Sequence, residues 1–274
     1  MSRTVAKSGA LALLSAAGNR FHVWDGFVAA PPAEASSEAE RLCAEGASDG
    51  LLLVLPVAAN NADCQMILFN ADGGRAETCG NGLRCVGKLM FEAGRLASNR
   101  SKVATDVGVV EVEVIPASDG RTVASARVEF AIPKEMRALE LELSATDIAE
   151  NAGLASVCGT FVDLGNPHFA LFGKSDILNR LPALGPALEH HQAFPHRANI
   201  EFVTADPSRA DRFTVRVWER GVGETKACGS GACAVAFAAV ARERADWPVT
   251  IRMTGGDLTV DRKCNALWLE GPVD

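Results

Sequence analysis

The sequence predicts an α/β protein of the α+β type. It is expected to hold two pseudo-symmetric domains, each a curved, mostly antiparallel sheet or barrel around one central helix. Three observations predict this. Short β-branched or alternating runs outnumber helical segments along the chain. A cysteine followed by Gly-x-Gly and a long apolar stretch occurs twice, at Cys79 and at Cys228. Four short blocks recur in the same order at nearly one offset. Gly18 and Gly165 lie 147 residues apart, Asp49 and Asn199 150, Cys79 and Cys228 149, and Thr105 and Thr254 149. The halves are expected to run over residues 1–120, carrying Cys79, and 121–265, carrying Cys228. The last residues, about 266–274, are expected to return to the first half.

The elements follow in chain order. "MSRTVAKSGALALLSAAG" has basic residues, an apolar stretch and small residues, the outline of a secretory signal. It reads equally as a first strand leading into "GNRF", and that reading is preferred. A short helix is expected near Ser36 to Ala47. Strands are expected at "LLLVLPV" and "QMILF", then a helix after Cys79, then strands at "VVEVEVI" and "ASARVEF". A second short helix is expected near Ser144 to Ala152. Strands follow at "GTFVDL", "FALF", "IEFVT" and "FTVRVW", then a helix after Cys228 and a strand at "VTIRM". Many short strands with one clear helix per half fit a curved antiparallel sheet better than strict β-α-β alternation.

Composition narrows the function. The 274 residues are 48% hydrophobic and 22% charged, ordinary for a globular protein able to build a sizeable core. The net charge of -7, without a basic stripe, argues against a nucleic-acid partner, and the absence of Tyr removes a stacking platform for bases. No apolar run approaches the length of a membrane span. The eight cysteines are too few for a disulfide scaffold and none forms a C-x-x-C pair. A reduced, cytoplasmic protein with a few special thiols is the expectation, with no metal and no cofactor. His190, His191 and His196 cluster in "EHHQAFPHRAN", and a solvated loop is preferred there over a metal site.

A helix N-terminus exposes unpaired N–H groups and the positive end of the macrodipole, so it binds carboxylates. Glycines let a ligand approach the backbone. A thiol at that place has its thiolate stabilised. Two copies suggest a reaction without a cofactor: one thiolate removes a proton beside a carboxylate, and the other thiol returns one from the opposite face. The bland reading, that Cys79 and Cys228 are merely small residues at helix starts, is weakened by the matching flanks of the two copies. Cys85 and Cys233 fall inside the helices and are expected to pack, while Cys43, Cys64, Cys158 and Cys264 are given no role.

"FNADGGRAETCGNGLRC", "GNPHF", "ANIEFV" and "RVWERGVGETKACGSGAC" closely resemble the diaminopimelate epimerases, over almost the whole chain. That family interconverts LL- and meso-2,6-diaminopimelate without pyridoxal phosphate or metal, in lysine and peptidoglycan precursor synthesis. The resemblance implies that Cys79 and Cys228 are the acid–base pair. It implies that Gly80 and Asn81, with Gly229 and Ser230, bind the reacting carboxylate through backbone N–H groups. Asn19, Asn70, Asn166, Asn199 and Arg220 match the family's side-chain contacts, the last four at the distal end of the substrate. His168 and Glu219 match the pair that contacts the substrate amine. The family is often homodimeric. Two departures lie in the first half: Arg20 stands where the family usually has an acidic residue, and "AEGASDGLLLV" lacks the usual fuller glycine pattern. A related racemase of another amino acid and a non-catalytic amino-acid-binding protein are the alternatives.

Overall fold

A computed structural model describes residues 9–44, 46–58, 61–77, 79–143 and 154–274. The chain divides into two compact units, Met1–Glu129 with Glu270–Asp274, and Phe130–Leu269. The boundary at Glu129/Phe130 falls within a strand, Val123–Ala131, where no turn or composition shift marks it.

The first unit begins with β1 (Leu11–Ala16) and β2 (Asn19–Asp25), an antiparallel pair joined by Ala17 and Gly18, both at positive φ. Two such residues give the hairpin turn whose twist suits the flanking strands. The leading apolar stretch is thus a strand from Leu11, and residues 1–8 lie outside the described residues. Helix α1 (Ala35–Cys43) lays Ala39 and Leu42 on Leu51, Leu53, Ile67 and Phe69. β3 (Gly50–Leu55) pairs parallel to β2 and antiparallel to β4 (Cys64–Asn70), which also pairs with the short β5 (Arg75–Ala76). After α2 (Gly80–Glu92), β6 (Arg100–Thr105) joins β4 in parallel, and β7 (Gly108–Pro116) and β8 (Val123–Ala131) follow antiparallel. The C-terminal residues return beside both ends of this sheet. Ser125 Oγ donates to Glu270 Oε1, and the backbones of Ser15 and Asp274 exchange both hydrogen bonds at 2.8 Å.

The second unit repeats the pairing. β9 (Glu135–Glu142) precedes β10 (Ser156–Asp163) and β11 (Pro167–Gly173). β11 runs parallel to β12 (Asn199–Ala205), which is antiparallel to β13 (Arg212–Glu219). β13 pairs with β14 (Gly223–Thr225) and, in parallel, with β15 (Val249–Met253), followed by β16 (Gly256–Lys263) and β17 (Ala266–Pro272). From β10 onward the sequence of antiparallel and parallel partners reproduces that of β1 to β7. The internal repeat in the sequence is therefore a repeat of fold.

Each unit surrounds one helix. α2 packs against β1, β2, β4, β6 and β7 of its own unit. Between β11 and β12 lie a 3-10 turn (Ser175–Arg180) and α3 (Leu181–Glu189), and after β14 comes α4 (Gly229–Ala241). α4 packs against β10, β11, β12, β15 and β16. "GSGACAVAFAAVA" is apolar on every side, as a helix enclosed by its sheet must be. α2 is enclosed less completely and keeps Lys88 and Glu92 paired at 2.8 Å on its outer side. Both helices end alike. Arg95 N–H donates to Met90 O beyond Gly94 at φ 67, and Arg244 N–H donates to Ala239 O beyond Glu243 at φ 55. This is a left-handed cap closing the last turn.

α3 was not expected. Two prolines and a glycine in "LPALGPALE" read as loop, yet Pro182 sits in the first turn, where it loses no hydrogen bond. Leu181, Leu184 and Leu188 are fully buried against Phe169, Ile200 and Phe202. The helix expected near Ser144–Ala152 lies outside the described residues. No described helix is long and apolar enough to cross a membrane.

Candidate active site

The two Cys-Gly-x-Gly steps do open helices. Cys79 is the N-cap of α2, with extended backbone (φ -152°, ψ 119°), and its Sγ accepts the Gly82 N–H at 3.5 Å. Cys228 is the N-cap of α4 with the same extended backbone (φ -125°, ψ 114°), without a side-chain cap hydrogen bond. Each thiol sits at the place of a capping side chain, and the Cys79 sulfur is bonded to one of the orphan donors of its helix.

The surroundings of the two sulfurs differ. In the first unit Asn81 is buried and central: its Nδ2 donates to Asn19 Oδ1 at 2.5 Å, and its Oδ1 accepts from Arg84 at 2.7 Å. Arg84, one turn along α2, is fully buried. Asp49 Oδ2 accepts the Arg20 N–H at 2.7 Å and faces Asn19 Nδ2 at 3.4 Å. A carboxylate therefore serves the Asn19–Arg20 turn, supplied by Asp49 where position 20 itself carries a base. Asn70 ends β4 exposed, in register with Gly50.

In the second unit His168 and Glu201 are fully buried and joined at 2.6 Å between Nδ1 and Oε1. Glu219, at the end of β13, accepts a short hydrogen bond from Thr225 and lies within hydrogen-bonding reach of the Cys228 thiol. Its carboxyl is raised from the ordinary value, chiefly by burial, against the lowering effects of Thr225 and His168. Cys228 is buried. Burial pushes its thiol well above the ordinary 9.0, and the Glu219 and Glu201 carboxylates add to the effect. The expectation that each helix start lowers its thiol is therefore overturned at Cys228. Desolvation and two nearby carboxylates outweigh the lowering effects of Ser230 and Gly231. Ser230 Oγ lies 3.5 Å from Cys228 Sγ and accepts from Asn166 Nδ2 at 3.2 Å, linking the "GNPHF" turn to the α4 start.

Asn199 links Pro167 to Arg220. Its Nδ2 donates to Pro167 O at 3.1 Å and its Oδ1 accepts the Arg220 N–H at 2.9 Å. Arg220 Nη1 donates to His196 O at 3.1 Å, and the next residue, Gly221, donates to the buried Glu189 at 2.9 Å. Arg220 borders a cleft of about 410 Å³ with Arg137, Arg197, Gly165, Pro167 and Phe194. Three arginines and one carboxylate, Asp163, line this cleft, a net positive lining that suits an anionic group. A wider cleft at Trp247 and Pro248 contains none of the expected site residues.

The diaminopimelate epimerase family profile matches residues 12–130 and 160–272, including both cysteine motifs. The chain belongs to the diaminopimelate epimerase family. Its relatives include the diaminopimelate epimerase of Desulforudis audaxviator, 38% identical over 267 residues, covering 94% of this chain and 93% of that protein. That of Moorella thermoacetica is 33% identical and covers 93% and 92%. Among solved structures, a phenazine biosynthesis protein of the PhzF family from Bacillus anthracis superposes with a TM-score of 0.71 at 14% identity, covering 96% of this chain and 95% of that one. A hydroxyproline epimerase from Agrobacterium vitis, with bound trans-4-hydroxy-L-proline, gives 0.63 at 16% identity, covering 96% and 89%. At such identities these two likenesses speak for the fold alone.

Other residues of this diaminopimelate epimerase family member lie where the sequence placed them or differ for plain reasons. Cys85 and Cys233 are fully buried in their helices, and burial pushes Cys85 up to about 12. Cys43 and Cys64 are buried, Cys158 and Cys264 exposed, and all eight cysteines are free. Among the described residues no cluster could hold a metal ion. His190 is the C-cap of α3, with Nδ1 2.9 Å from Pro186 O, and His191 Nε2 lies 3.1 Å from Glu142 O. Both bond local backbone at the start of the solvent-facing loop that follows α3, the loop expected there. Glu201, Arg84, Asp49 and Glu189 were missed. The available signal was a charged residue inside an otherwise apolar buried run, as in "NIEFV".

Proposed function

We propose that this chain interconverts LL- and meso-2,6-diaminopimelate, for lysine and peptidoglycan precursor synthesis, by thiolate–thiol proton exchange between Cys79 and Cys228. The observation that carries the reading is the family match over both halves, each of which contributes a cysteine as the N-cap of an enclosed helix. The substrate's reacting carboxylate takes the N–H groups of Gly80, Asn81, Gly229 and Ser230. Cys79 as thiolate removes the α-proton and becomes a thiol. Cys228 gives its own proton to the opposite face and becomes the thiolate. One proton leaves and one arrives, so the step is redox-neutral. The assignment of Cys228 as the resting donor is supported by its raised thiol beside Glu219. Donors aimed at developing charge, each worth about 3 kcal/mol, lower the barrier. His168 and Glu219 receive the substrate amine, and Asn70, Asn166, Asn199 and Arg220 the distal amino-acid end.

A thiol pair of this kind needs a reducing compartment, so the setting is read as cytoplasmic, with a homodimer as the working assembly. The test is proton exchange. Reduced protein in heavy water should remove the α-proton NMR signal of diaminopimelate and leave other amino acids untouched. Exchange of another amino acid with none of diaminopimelate makes the chain a sibling racemase, and binding without exchange makes it a binding protein. Either result sinks the proposal.

A further inference from the structure

The repeat supplies an internal control for the environment of each thiol. The strand registers of the two units match, so Phe21 corresponds to His168 at an offset of 147, and Leu52, Asn70, Ala76 and Gly82 correspond to Glu201, Glu219, Thr225 and Gly231 at an offset of 149. The correspondence is physical. A Cβ on Gly82 would meet Leu52 Cδ2 at 3.1 Å, and a Cβ on Gly231 would meet Glu201 Oε1 at 2.8 Å. The same strand position beneath the same helix turn is a leucine in one copy and a carboxylate in the other. Packing alone is thus satisfied by an apolar side chain at this place.

A fully buried carboxylate is costly unless it is paired. Glu201 Oε1 is held by His168 Nδ1 at 2.6 Å. The other two polar atoms of the pair, His168 Nε2 and Glu201 Oε2, are buried with no hydrogen-bond partner. A carboxylate accepting from Nδ1–H leaves the neutral ring with its lone pair on Nε2. That atom is an acceptor suited to an ammonium donor, and it lacks one in the protein. Glu219, the neighbouring carboxylate, interacts electrostatically with His168 and reaches the Cys228 thiol.

We infer that Glu201 is a positioning residue for this reaction, holding the His168 imidazole in its Nδ1–H form so that Nε2 accepts from the substrate amine beside Cys228. The inference rests on the epimerase reading for its substrate and on the His168–Glu201 geometry for its mechanism. Glu201 touches no reacting atom. It acts through the ring, as an outer partner orients a metal-bound or catalytic histidine.

The test compares wild type with Glu201→Leu, which writes the first unit's residue into the second, and Glu201→Gln, which keeps the shape and one acceptor. Glu201→Leu leaves His168 Nδ1 buried without its acceptor and should lower stability, so circular dichroism and a melt first establish that it folds. Its kcat for diaminopimelate exchange should fall about 10–100-fold, with Glu201→Gln intermediate. Long-range 1H–15N spectra, with the His168 signal assigned through His168→Gln, should show the Nδ1–H tautomer in wild type and its loss in Glu201→Leu. Wild-type turnover in both variants overturns the inference. So does a fall in turnover with an unchanged His168 tautomer, because Glu201 would then act by some other route. If Glu201→Leu fails to fold, Glu201→Gln decides: a lowered kcat with a shifted His168 15N titration supports the inference, and wild-type values of both overturn it. If wild type fails to exchange diaminopimelate, the epimerase reading falls and the tautomer comparison alone decides the role of Glu201.

Discussion

Asn199 accepts the backbone N–H of Arg220 through Oδ1 at 2.9 Å while its Nδ2 holds Pro167 O. One amide thus fixes both the strand carrying His168 and the turn carrying the guanidinium. Asn199→Asp keeps the acceptor and loses the donor to Pro167 O, and it adds a negative charge beside a cleft lined by arginines. Leaving a buried carbonyl unpaired costs about 1–3 kcal/mol. The KM for diaminopimelate should therefore rise about 5–100-fold while kcat changes less, since the loss falls on the distal end. Steady-state kinetics check this. A fall confined to kcat would place Asn199 in the proton-transfer step instead.

That amide also shows how far the sequence could be read. Asn199 was recognisable as a site residue from "ANIEFV", but its two backbone bonds arise from separate pairings, the parallel β11–β12 pair for Pro167 O and the antiparallel β12–β13 pair for Arg220 N–H. The repeat, the strands and the two central helices were legible because each is written in a local pattern: alternation, or cysteine and glycines before an apolar run. α3 was hidden because Pro182 and Pro186 are local breakers, overridden by burial of three leucines. Glu201 was hidden for the opposite reason. A strand buried on both faces makes a single charge look like noise, until the fold sets it against His168. The raised Cys228 thiol likewise depends on Glu219 and Glu201, brought to it from separate strands.

Both cysteines are expected to be indispensable. In the proposed mechanism Cys79→Ala and Cys228→Ala each remove one of two proton-transfer groups, and such groups contribute about 10²–10⁴-fold apiece. Epimerisation should become undetectable in each variant, while circular dichroism and melting stay near wild type, because the thiol contacts to Gly82 N–H and Ser230 Oγ, both at 3.5 Å, are long and weak. A single variant with full α-proton exchange would remove the paired-thiol mechanism.

Oxidation offers a test of whether Cys79 and Cys228 serve one substrate. In a Cys158→Ala, Cys264→Ala background, which removes the two exposed thiols, mild diamide treatment should abolish activity. It should join Cys79 to Cys228, with recovery under dithiothreitol. Peptide mapping after oxidation reads the pairing directly. Activity that survives complete oxidation, or mapping that finds both thiols still free, would separate the two cysteines.

The thiols also set an alkaline limit on stability. Burial pushes Cys64 and Cys85 up to about 12, from an ordinary 9.0, and Cys228 is raised as well. A raised folded-state pKa means that the unfolded chain loses its protons first as pH rises. The stabilisation is fully present below about 9 and is lost as pH climbs toward about 12. The melting temperature should therefore be flat in this respect near neutrality and should fall between pH 9 and 11. Cys85→Ala should shallow that fall. Separately, Glu219→Gln removes a carboxylate that raises Cys228, so iodoacetamide should label Cys228 at lower pH than in wild type.

The two helix-start glycines should respond unequally to the same substitution. In Gly82→Ala the new methyl meets Leu52 Cδ2 at 3.1 Å, the far end of a flexible side chain that can turn aside. In Gly231→Ala it meets Glu201 Oε1 at 2.8 Å, and that oxygen is held by His168 at 2.6 Å. Relief there requires the carboxylate to move and its bond to the ring to lengthen. Overpacking of this kind costs about 1–3 kcal/mol. Gly231→Ala should therefore lower stability by about that amount and kcat about tenfold or more, whereas Gly82→Ala should cost under about 1 kcal/mol. Denaturant melts and exchange kinetics on the pair measure both quantities. Equal losses would mean that the carboxylate beneath the second thiol is no more tightly held than the leucine beneath the first.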